Sequence, residues 1–147
     1  MANRQIIERF VRAMSEDDFD TQDSLIHDDY VLDYPQSGER IRGRANRRAV
    51  LEHYPGRAES GIRPSVDRII GMDDKFVREA YPAWNVIHLV GSGDDYQLTG
   101  TIAYDDGTTW HFVALLTLRA GKIWREVDYF AETFEAPAWR SPYVEGA

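Results

Sequence analysis

The stretch TTWHFVALLTLRAGKIWREVDYF, residues 108–130, consists of two apolar runs on either side of Ala120 and Gly121. Runs rich in β-branched and aromatic residues, separated by two turn residues, predict a β-hairpin in which Arg119 pairs with Lys122. Both faces of this hairpin carry apolar side chains. We therefore expect the rest of the chain to be arranged around it.

Counting back from the turn predicts which side chains share a face of the hairpin. His111 is expected opposite Phe130 and Val113 opposite Asp128, so His111 and Asp128 become diagonal neighbours, roughly 5 to 8 Å apart at the backbone. Trp124 and Glu126 are predicted to lie on the same face. A shift of one residue would separate the histidine from the aspartate onto opposite faces.

His111 and Asp128 are the candidate catalytic residues. A carboxylate on an apolar wall has a raised pKa, and a neighbouring imidazole can share its proton, so the pair would titrate near neutral pH. Such a pair could abstract a proton beside a carbonyl and return it elsewhere. The competing interpretation is structural: Asp128 would fix Arg125 or an arginine of the third predicted helix, and His111 would be an ordinary sheet residue.

Aromatic side chains are abundant enough to line a pocket around this pair. The same residues could equally be plain core. The candidate substrate-binding residues are Phe10, Tyr34, Tyr54, Trp84, Trp110 and Phe130.

Composition limits the class of protein. The 147 residues suffice for one domain, and the 43% hydrophobic content argues against disorder. The net charge of -8 opposes binding to nucleic acid or to anionic membranes. The absence of cysteine and of an apolar leader or spanning segment predicts a cytoplasmic protein. Four histidines without short ligand spacing predict no metal site, and we expect no cofactor.

Helical spacing of apolar residues comes first in the chain and extended patterns follow. We predict helices at 3–14, with Asn3 as N-cap, at 20–27, with Asp20 as N-cap, and across the segment that ends at Pro55. A short strand at 30–34 is predicted between the second and third helices. Further strands are predicted at 66–72, 76–90, 96–104 and 110–118, with a bend at Pro82, and successive strands are expected to pair antiparallel. This order predicts an α+β fold in a single domain, 1–147, with an irregular tail at 136–147 that Trp139 and Tyr143 could fasten to the body.

Five arginines cluster around the start of the third predicted helix: Arg40, Arg42, Arg44, Arg47 and Arg48. An anion would be welcome there, because a helix N-terminus carries partial positive charge. The alternative is that these arginines pair with the excess of acidic residues and cover apolar surface with their stems.

The face of the hairpin opposite Asp128 is predicted to be apolar as well. Its residues are Trp110, Phe112, Ala114, Leu116, Leu118, Ile123, Val127 and Tyr129. Three helices cannot cover both sides of a large sheet, and extended bare apolar patches are rare on soluble monomers. We expect a homodimer packed through this face.

The sequence resembles the SnoaL-like branch of the nuclear transport factor 2 superfamily from Ile6 to Glu132. The resemblance is carried by LIHDDYVLDYPQSGERIRGRANRRAVLEHYPG, residues 25–56, and by LRAGKIWREVDYF, residues 118–130. It implies a cone-shaped α+β barrel, in which three helices lie in the concave face of a curved mixed or antiparallel sheet, with a deep apolar pocket between them. It also implies dimerisation through the other sheet face.

The resemblance also bears on the chemistry. The ketosteroid isomerase residues of this superfamily do not carry over, because Phe10, Tyr34 and Ala114 stand where a tyrosine and two aspartates would be needed. Polyketide cyclases of the SnoaL type look closer, and they imply acid/base roles for Asp128 and His111. We expect a pocket for a small, largely apolar carbonyl or hydroxyl compound. The protein would be a cofactor-independent isomerase, cyclase or related lyase or hydrolase, or else a non-catalytic ligand-binding or dimerisation domain.

Overall fold

The computed structural model describes residues 1–53, 68–70, 86–103 and 107–146. Three helices precede most of the strands, so the α+β prediction is confirmed. The elements are α1 (Asn3–Ser15), α2 (Phe19–Leu25), β1 (Ile26–Tyr34), β2 (Glu39–Arg42), α3 (Gly43–Glu52), β3 (Arg68–Ile70), β4 (Val86–Ser92), β5 (Asp95–Ala103), β6 (Thr109–Arg119), β7 (Lys122–Glu132) and a 3-10 helix, Ala138–Tyr143. The predicted bend at Pro82 lies outside the described residues.

The described strands form one mixed sheet in the order β2-β1-β7-β6-β5-β4-β3. It is open rather than closed into a barrel, with β2 and β3 at its two edges. From β4 to β7 each strand pairs antiparallel with the next, as predicted, but β3 and β4 pair parallel. The expectation of antiparallel pairing was wrong there because residues 71–85 separate the two strands, enough for the crossover of about a dozen residues that parallel pairing needs. Parallel pairing of β1 with β7 brings the start of the chain beside the hairpin.

The N-caps of the first two helices lie one and two residues before their predicted positions. Ala2 is the N-cap of α1, and the Asn3 side chain instead donates hydrogen bonds to Gly93 O and Asp94 Oδ1, which ties α1 to the turn between β4 and β5. Asp18, not Asp20, caps α2, because its carboxylate accepts from the Thr21 N–H at 3.0 Å. None of the helices in the described part of the chain combines the length and apolar character that a membrane span requires.

A single core lies between the helices and one face of the sheet. The apolar stripe of α1 packs there, and Phe10, Val11 and Ile7 are fully buried. The sheet side of this core is built from alternating strand residues: Ile26, Tyr30, Leu32, Ile87, Leu89, Tyr96, Leu98, Ala114, Leu116, Leu118 and Ile123. We refer to this side as the helix-facing side and to the other as the outer face.

The hairpin turn has the predicted two residues. Ala120 and Gly121 both have positive φ, 52° and 71°, the combination of a type I′ turn, and Arg119 pairs with Lys122. Glycine adopts this conformation without strain, whereas alanine has a Cβ that opposes it. The turn prediction is therefore confirmed at the cost of one strained residue.

A β-bulge beside the turn changes the register that the sequence predicted. Leu118 pairs with Ile123 but Thr117 pairs with Arg125, so Trp124 is the extra residue of β7. Beyond the bulge Ala114, rather than Val113, lies opposite Asp128. One inserted residue shifts the pairing by one, and because the side-chain period of a strand is two, every later side chain of β7 changes its face relative to β6.

The predicted neighbourhood of His111 and Asp128 is therefore wrong. His111 pairs with Ala131 and is exposed on the outer face, while Asp128 lies on the helix-facing side. The histidine thus faces away from the core against which the aspartate packs. Glu126 and Phe130 do share a face with Asp128, as predicted, because they are two residues from it along one strand.

The outer face differs from its prediction for the same reason. Leu116 is 1% exposed in the core, and the alternating residues of β6 on its side belong to the helix-facing side. Tyr129 does lie on the outer face as predicted and is 41% exposed, but its large apolar neighbours there are Leu115, 41% exposed, and Val90, 39% exposed. Val113 and Val127 lie beside them in register. The outer face therefore remains a candidate surface for pairing two copies, with different central residues.

The C-terminal tail does not pack as predicted. Residues 133–146 are almost entirely exposed, and the 3-10 helix within them buries no side chain. Trp139 and Tyr143 are 72% and 83% exposed, so they do not fasten the tail to the body of this chain. Trp139 instead packs under the guanidinium of its neighbour Arg140.

Candidate active site

Two carboxyl groups of β7 point into the core from adjacent positions on the helix-facing side. Glu126 is 5% exposed and lies opposite Leu116, and Asp128 lies opposite Ala114. The two carboxyl groups lie close enough for the charge of Glu126 to act on Asp128. Asp128 Oδ1 is buried and has no hydrogen-bond partner within the described residues. Such an unpaired buried acceptor is costly, which makes this atom a candidate contact for a ligand.

Tyr30 binds Glu126, the other carboxyl group of this pair. Its hydroxyl donates to Glu126 Oε2 at 2.5 Å from the adjacent strand β1, and its side chain is 1% exposed. Parallel pairing of β1 with β7 makes the contact, because Leu32 lies opposite Glu126 and Tyr30 precedes it on the same face. Burial, followed by the charge of Glu126, raises the pKa of Tyr30 well above its ordinary value. The phenol therefore stays protonated and remains a donor.

The electrostatics of the site favour a protonated Asp128. Burial is the largest cause, the charge of Glu126 and its hydrogen bond follow, and together they raise the pKa of Asp128 well above its ordinary value, while Arg47 acts in the opposite direction. The charge of a neighbouring carboxylate thus favours the protonated form of Asp128, as in carboxyl pairs that hold one proton between them. Burial and then the charge of Asp128 also raise the pKa of Tyr34, which faces the same pair from β1.

A buried arginine faces this cluster from α3. Arg47 is 4% exposed, and its Nη1 donates to Gln22 Oε1 at 2.9 Å. Gln22 is 1% exposed and donates in turn to Ala13 O at 3.0 Å, so α1, α2 and α3 are joined through one chain of hydrogen bonds. The guanidinium carbon of Arg47 lies 4.9 Å from the centre of the Phe10 ring.

The structure brings some of the predicted pocket residues together. Phe10 is fully buried under Arg47, and the rings of Tyr34 and Phe130 lie 6.2 Å apart beside Asp128. Trp110 lies on the same side of β6, four positions along the strand from Ala114. Tyr54 and Trp84 lie outside the described residues. The substrate-binding roles of all six residues stay predictions.

The arginine cluster is largely accounted for by ion pairs rather than by an anion site. Arg40 binds Asp33 through two hydrogen bonds of 2.6 and 2.9 Å, Arg44 pairs with Asp28, and Arg48 contacts Asp20, Asp23 and Glu52. The interpretation of these residues as partners of the acidic excess is therefore confirmed for Arg40, Arg44 and Arg48. Within the described residues Arg42 and Arg47 have no ion pair, and the partners of Arg47 are a neutral amide and a thioether.

Four residues of this site have no chemical role in the prediction from sequence: Tyr30, Glu126, Arg47 and Gln22. A signal for Glu126 was present, since it lies two residues before Asp128 and the period of a strand places both on one face. Tyr30 and Tyr34 lie two residues before and two residues after Leu32, so they share its face of β1. Nothing in the local sequence distinguishes Arg47 from its arginine neighbours. Its burial depends on the packing of α3 against α2.

The site combines a carboxyl pair, a fixed phenol donor and a buried cation. Such a combination can support proton transfer. Asp128 can act as acid or base, and Glu126, held by Tyr30, sets how readily its proton is released. Within the described residues there is no group of three or more potential metal ligands.

These features define an α+β domain that has helices over one face of a mixed sheet and a cluster of buried titratable groups between the two layers. The SnoaL-like domain family matches residues 7–126, and the chain belongs to that family. The predicted resemblance is thereby confirmed. A search of curated proteins finds no match.

The similarity to solved structures with this fold extends over most or nearly all of the chain. A nuclear transport factor 2-like protein of unknown function from Burkholderia xenovorans is 31% identical, with a TM-score of 0.68 over 99% of this chain and 94% of that one. A putative ketosteroid isomerase from Kribbella flavida is 19% identical, with a TM-score of 0.74 over 99% and 89% of the two chains. TerC, co-crystallised with polyporic acid, is 21% identical, with a TM-score of 0.58 over 88% and 91%. The last two similarities show the fold alone.

Proposed function

We propose that this protein is a cofactor-independent acid/base enzyme that moves a proton on a small, largely apolar carbonyl or hydroxyl compound, with Asp128 as the proton-transferring residue. The observation that carries the proposal is the buried Oδ1 of Asp128, which has no protein partner within the described residues and belongs to a carboxyl pair. A group that serves only to stabilise the fold would be expected to satisfy both of its oxygens. The substrate would supply the missing contact.

The reaction would begin with the ionised form of the carboxyl pair. A C–H bond beside the substrate carbonyl breaks, its proton forms an O–H bond on Asp128, and the electron pair moves to the carbonyl oxygen to give an enolate. Return of that proton to another carbon completes an isomerisation. For a cyclisation, the enolate carbon attacks a second carbonyl, and the proton on Asp128 passes to the alkoxide that forms. No other proton source is needed, because the carboxyl pair returns the proton that it took, and Tyr30 is the hydrogen-bond donor that holds Glu126 in place.

The named neighbours are compatible with this proposal. One is described as a putative ketosteroid isomerase, and another was crystallised with polyporic acid. Catalysis at this site would use residues of its own, because Phe10 and Ala114 cannot supply the tyrosine and aspartate that the sequence comparison with ketosteroid isomerases would require.

Exchange of substrate hydrogen for deuterium tests the proposal directly. Small cyclic ketones and aryl 1,3-diketones would be incubated with the protein in D2O, and loss of the α-proton signal followed by NMR. Asp128→Asn should lower any exchange rate by roughly 100-fold or more, the usual share of a positioned acid or base. Asp33→Asn is the matched control, since Asp33 is held by Arg40 on the outer face, and it should leave the rate unchanged.

Two results would count against catalysis. Exchange that survives Asp128→Asn would remove the aspartate from the reaction. Binding of these compounds without any exchange, detected by saturation-transfer NMR, would favour the second candidate, a non-catalytic ligand-binding domain. One observation favours that alternative: the Gln22–Arg47 contact is internally satisfied on its amide side, as in a purely structural network.

A further inference from the structure

Arg47 is a buried charge without a close anionic partner. Its side chain is 4% exposed, and no ion pair involves it among the described residues. Nη1 donates to the neutral Gln22 amide at 2.9 Å, and Nη2 lies 3.5 Å from Met14 Sδ, which is a weak acceptor. Guanidinium has five N–H donors, so these contacts leave capacity unused. Burying a cation in this way is expensive unless an anion compensates it.

The position of Arg47 is fixed from three helices. Gln22 of α2 holds one nitrogen and is itself anchored on Ala13 O of α1, while the Phe10 ring covers the guanidinium at 4.9 Å. A planar guanidinium restrained by a hydrogen bond and by a ring loses little further entropy when it binds an oxygen. Arg47, held by Gln22 and covered by Phe10, therefore has the features of a preorganised hydrogen-bond donor to an oxyanion.

Several charged or titratable groups face the Asp128 carboxyl from the elements packed around it. They are Glu126 from β7, Tyr30 and Tyr34 from β1, and Arg47 from α3; α2 contributes the neutral Gln22, and β6 the apolar Ala114. With one proton shared by the two carboxyl groups, this set has one negative and one positive charge. The buried cluster is then neutral before substrate arrives.

Transfer of a proton from the substrate moves the negative charge from the carboxyl pair to the substrate oxygen. The total charge of the site does not change. When the carboxyl pair takes the proton from carbon, the pair becomes neutral and the substrate oxygen becomes negative. We propose that Arg47, positioned by Gln22, is the counterion of that oxygen. This inference rests on the proposed function for its reaction and adds to it the residue that recognises the enolate oxygen.

A stable oxyanion on an aromatic ring provides the test, because it imitates the enolate without reacting. The probe is 4-nitrophenol, whose ionised and neutral forms have different absorption bands. The wild-type protein should bind the phenolate in preference and lower the apparent pKa of the bound probe. Arg47→Met should weaken phenolate binding by about 10-fold to 100-fold, the worth of one hydrogen bond to a charged group, and abolish the pKa change of the probe.

Matched variants distinguish a loss of phenolate recognition from a general effect on the protein. Arg44→Met removes another arginine of α3, one that pairs with Asp28 at the surface, and should leave phenolate binding unchanged. Gln22→Leu keeps the charge of Arg47 but removes its anchor, and should give a smaller loss than Arg47→Met. Affinity for nitrobenzene, a neutral probe of similar shape, should be equal in all variants. If Arg47→Met does not fold, Arg47→Lys replaces it and should lose part of the phenolate preference, because an ammonium lacks the planar fork.

The outcomes distinguish this inference from the proposed function. Equal phenolate affinity in wild type and in Arg47→Met, with nitrobenzene binding intact, would overturn the role of Arg47 whatever Asp128 does. Preference of the wild-type site for neutral 4-nitrophenol would also overturn it. Phenolate binding that depends on Arg47, in a protein whose hydrogen exchange survives Asp128→Asn, would support the oxyanion site and refute only the proposed catalytic residue.

Discussion

Truncation of two neighbouring leucines tests the register on which the whole site depends. Leu116 is 1% exposed on the helix-facing side, directly opposite Glu126, whereas Leu115 is 41% exposed on the outer face. The bulge at Trp124 places the carboxyl pair on the side of Leu116. Without it, uniform pairing would place the pair on the side of Leu115.

The expected magnitudes differ enough to be resolved. Leu116→Ala removes a fully buried side chain and should lower the free energy of unfolding by about 2–5 kcal/mol, the range for buried leucines. Leu115→Ala removes a side chain that is a little over half buried and leaves no closed cavity, so a loss of about 1 kcal/mol is expected. For a chain of this size each kcal/mol corresponds to roughly 2–4 °C in Tm, so the two variants should differ by several degrees.

Urea unfolding followed by tryptophan fluorescence would measure both variants at two protein concentrations. A cost at position 115 that grows with protein concentration would report burial of this leucine between two copies. Equal destabilisation by the two truncations at low concentration, or a larger effect at 115, would refute the burial of Leu116. The description of Glu126 and Asp128 as buried beside Leu116 and Ala114 would then fail with it.

Three further outcomes are expected. Two copies should pair through the outer face, so light scattering at micromolar concentration should show a dimer mass that Leu115→Glu reduces to a monomer mass; a wild-type monomer would contradict this. Because the pKa of Asp128 is raised on folding, stability should be lost as the pH rises from its ordinary pKa of 3.8 towards the folded value, and Asp128→Asn should flatten this loss in urea titrations at a series of pH values; identical profiles would contradict the raised pKa. Ala120→Asn should raise the unfolding free energy by about 1 kcal/mol, because asparagine tolerates positive φ better than alanine, and a destabilised variant would contradict the turn conformation.

The local patterns of the sequence predicted the elements that need only local information. The two turn residues, the strands on either side and the amphipathic helix α1 follow from side-chain period and turn chemistry. The same period placed Glu126, Asp128 and Phe130 on one face. These predictions are confirmed because a strand or helix imposes its period whatever it packs against. The expected cytoplasmic location stays a prediction.

Only the tertiary structure decided which side chains meet across strands and helices. One extra residue, Trp124, turned the predicted His111–Asp128 pair onto opposite faces, and no local propensity marked that residue as a bulge. The partners that Asp128 does have come from β1 and α3, far away in sequence, through parallel pairing of β1 with β7 and the packing of α3 on α2. The two-residue period of a strand decides which of its own side chains share a face. A site, however, is built from several elements, and their register and packing are properties of the whole fold.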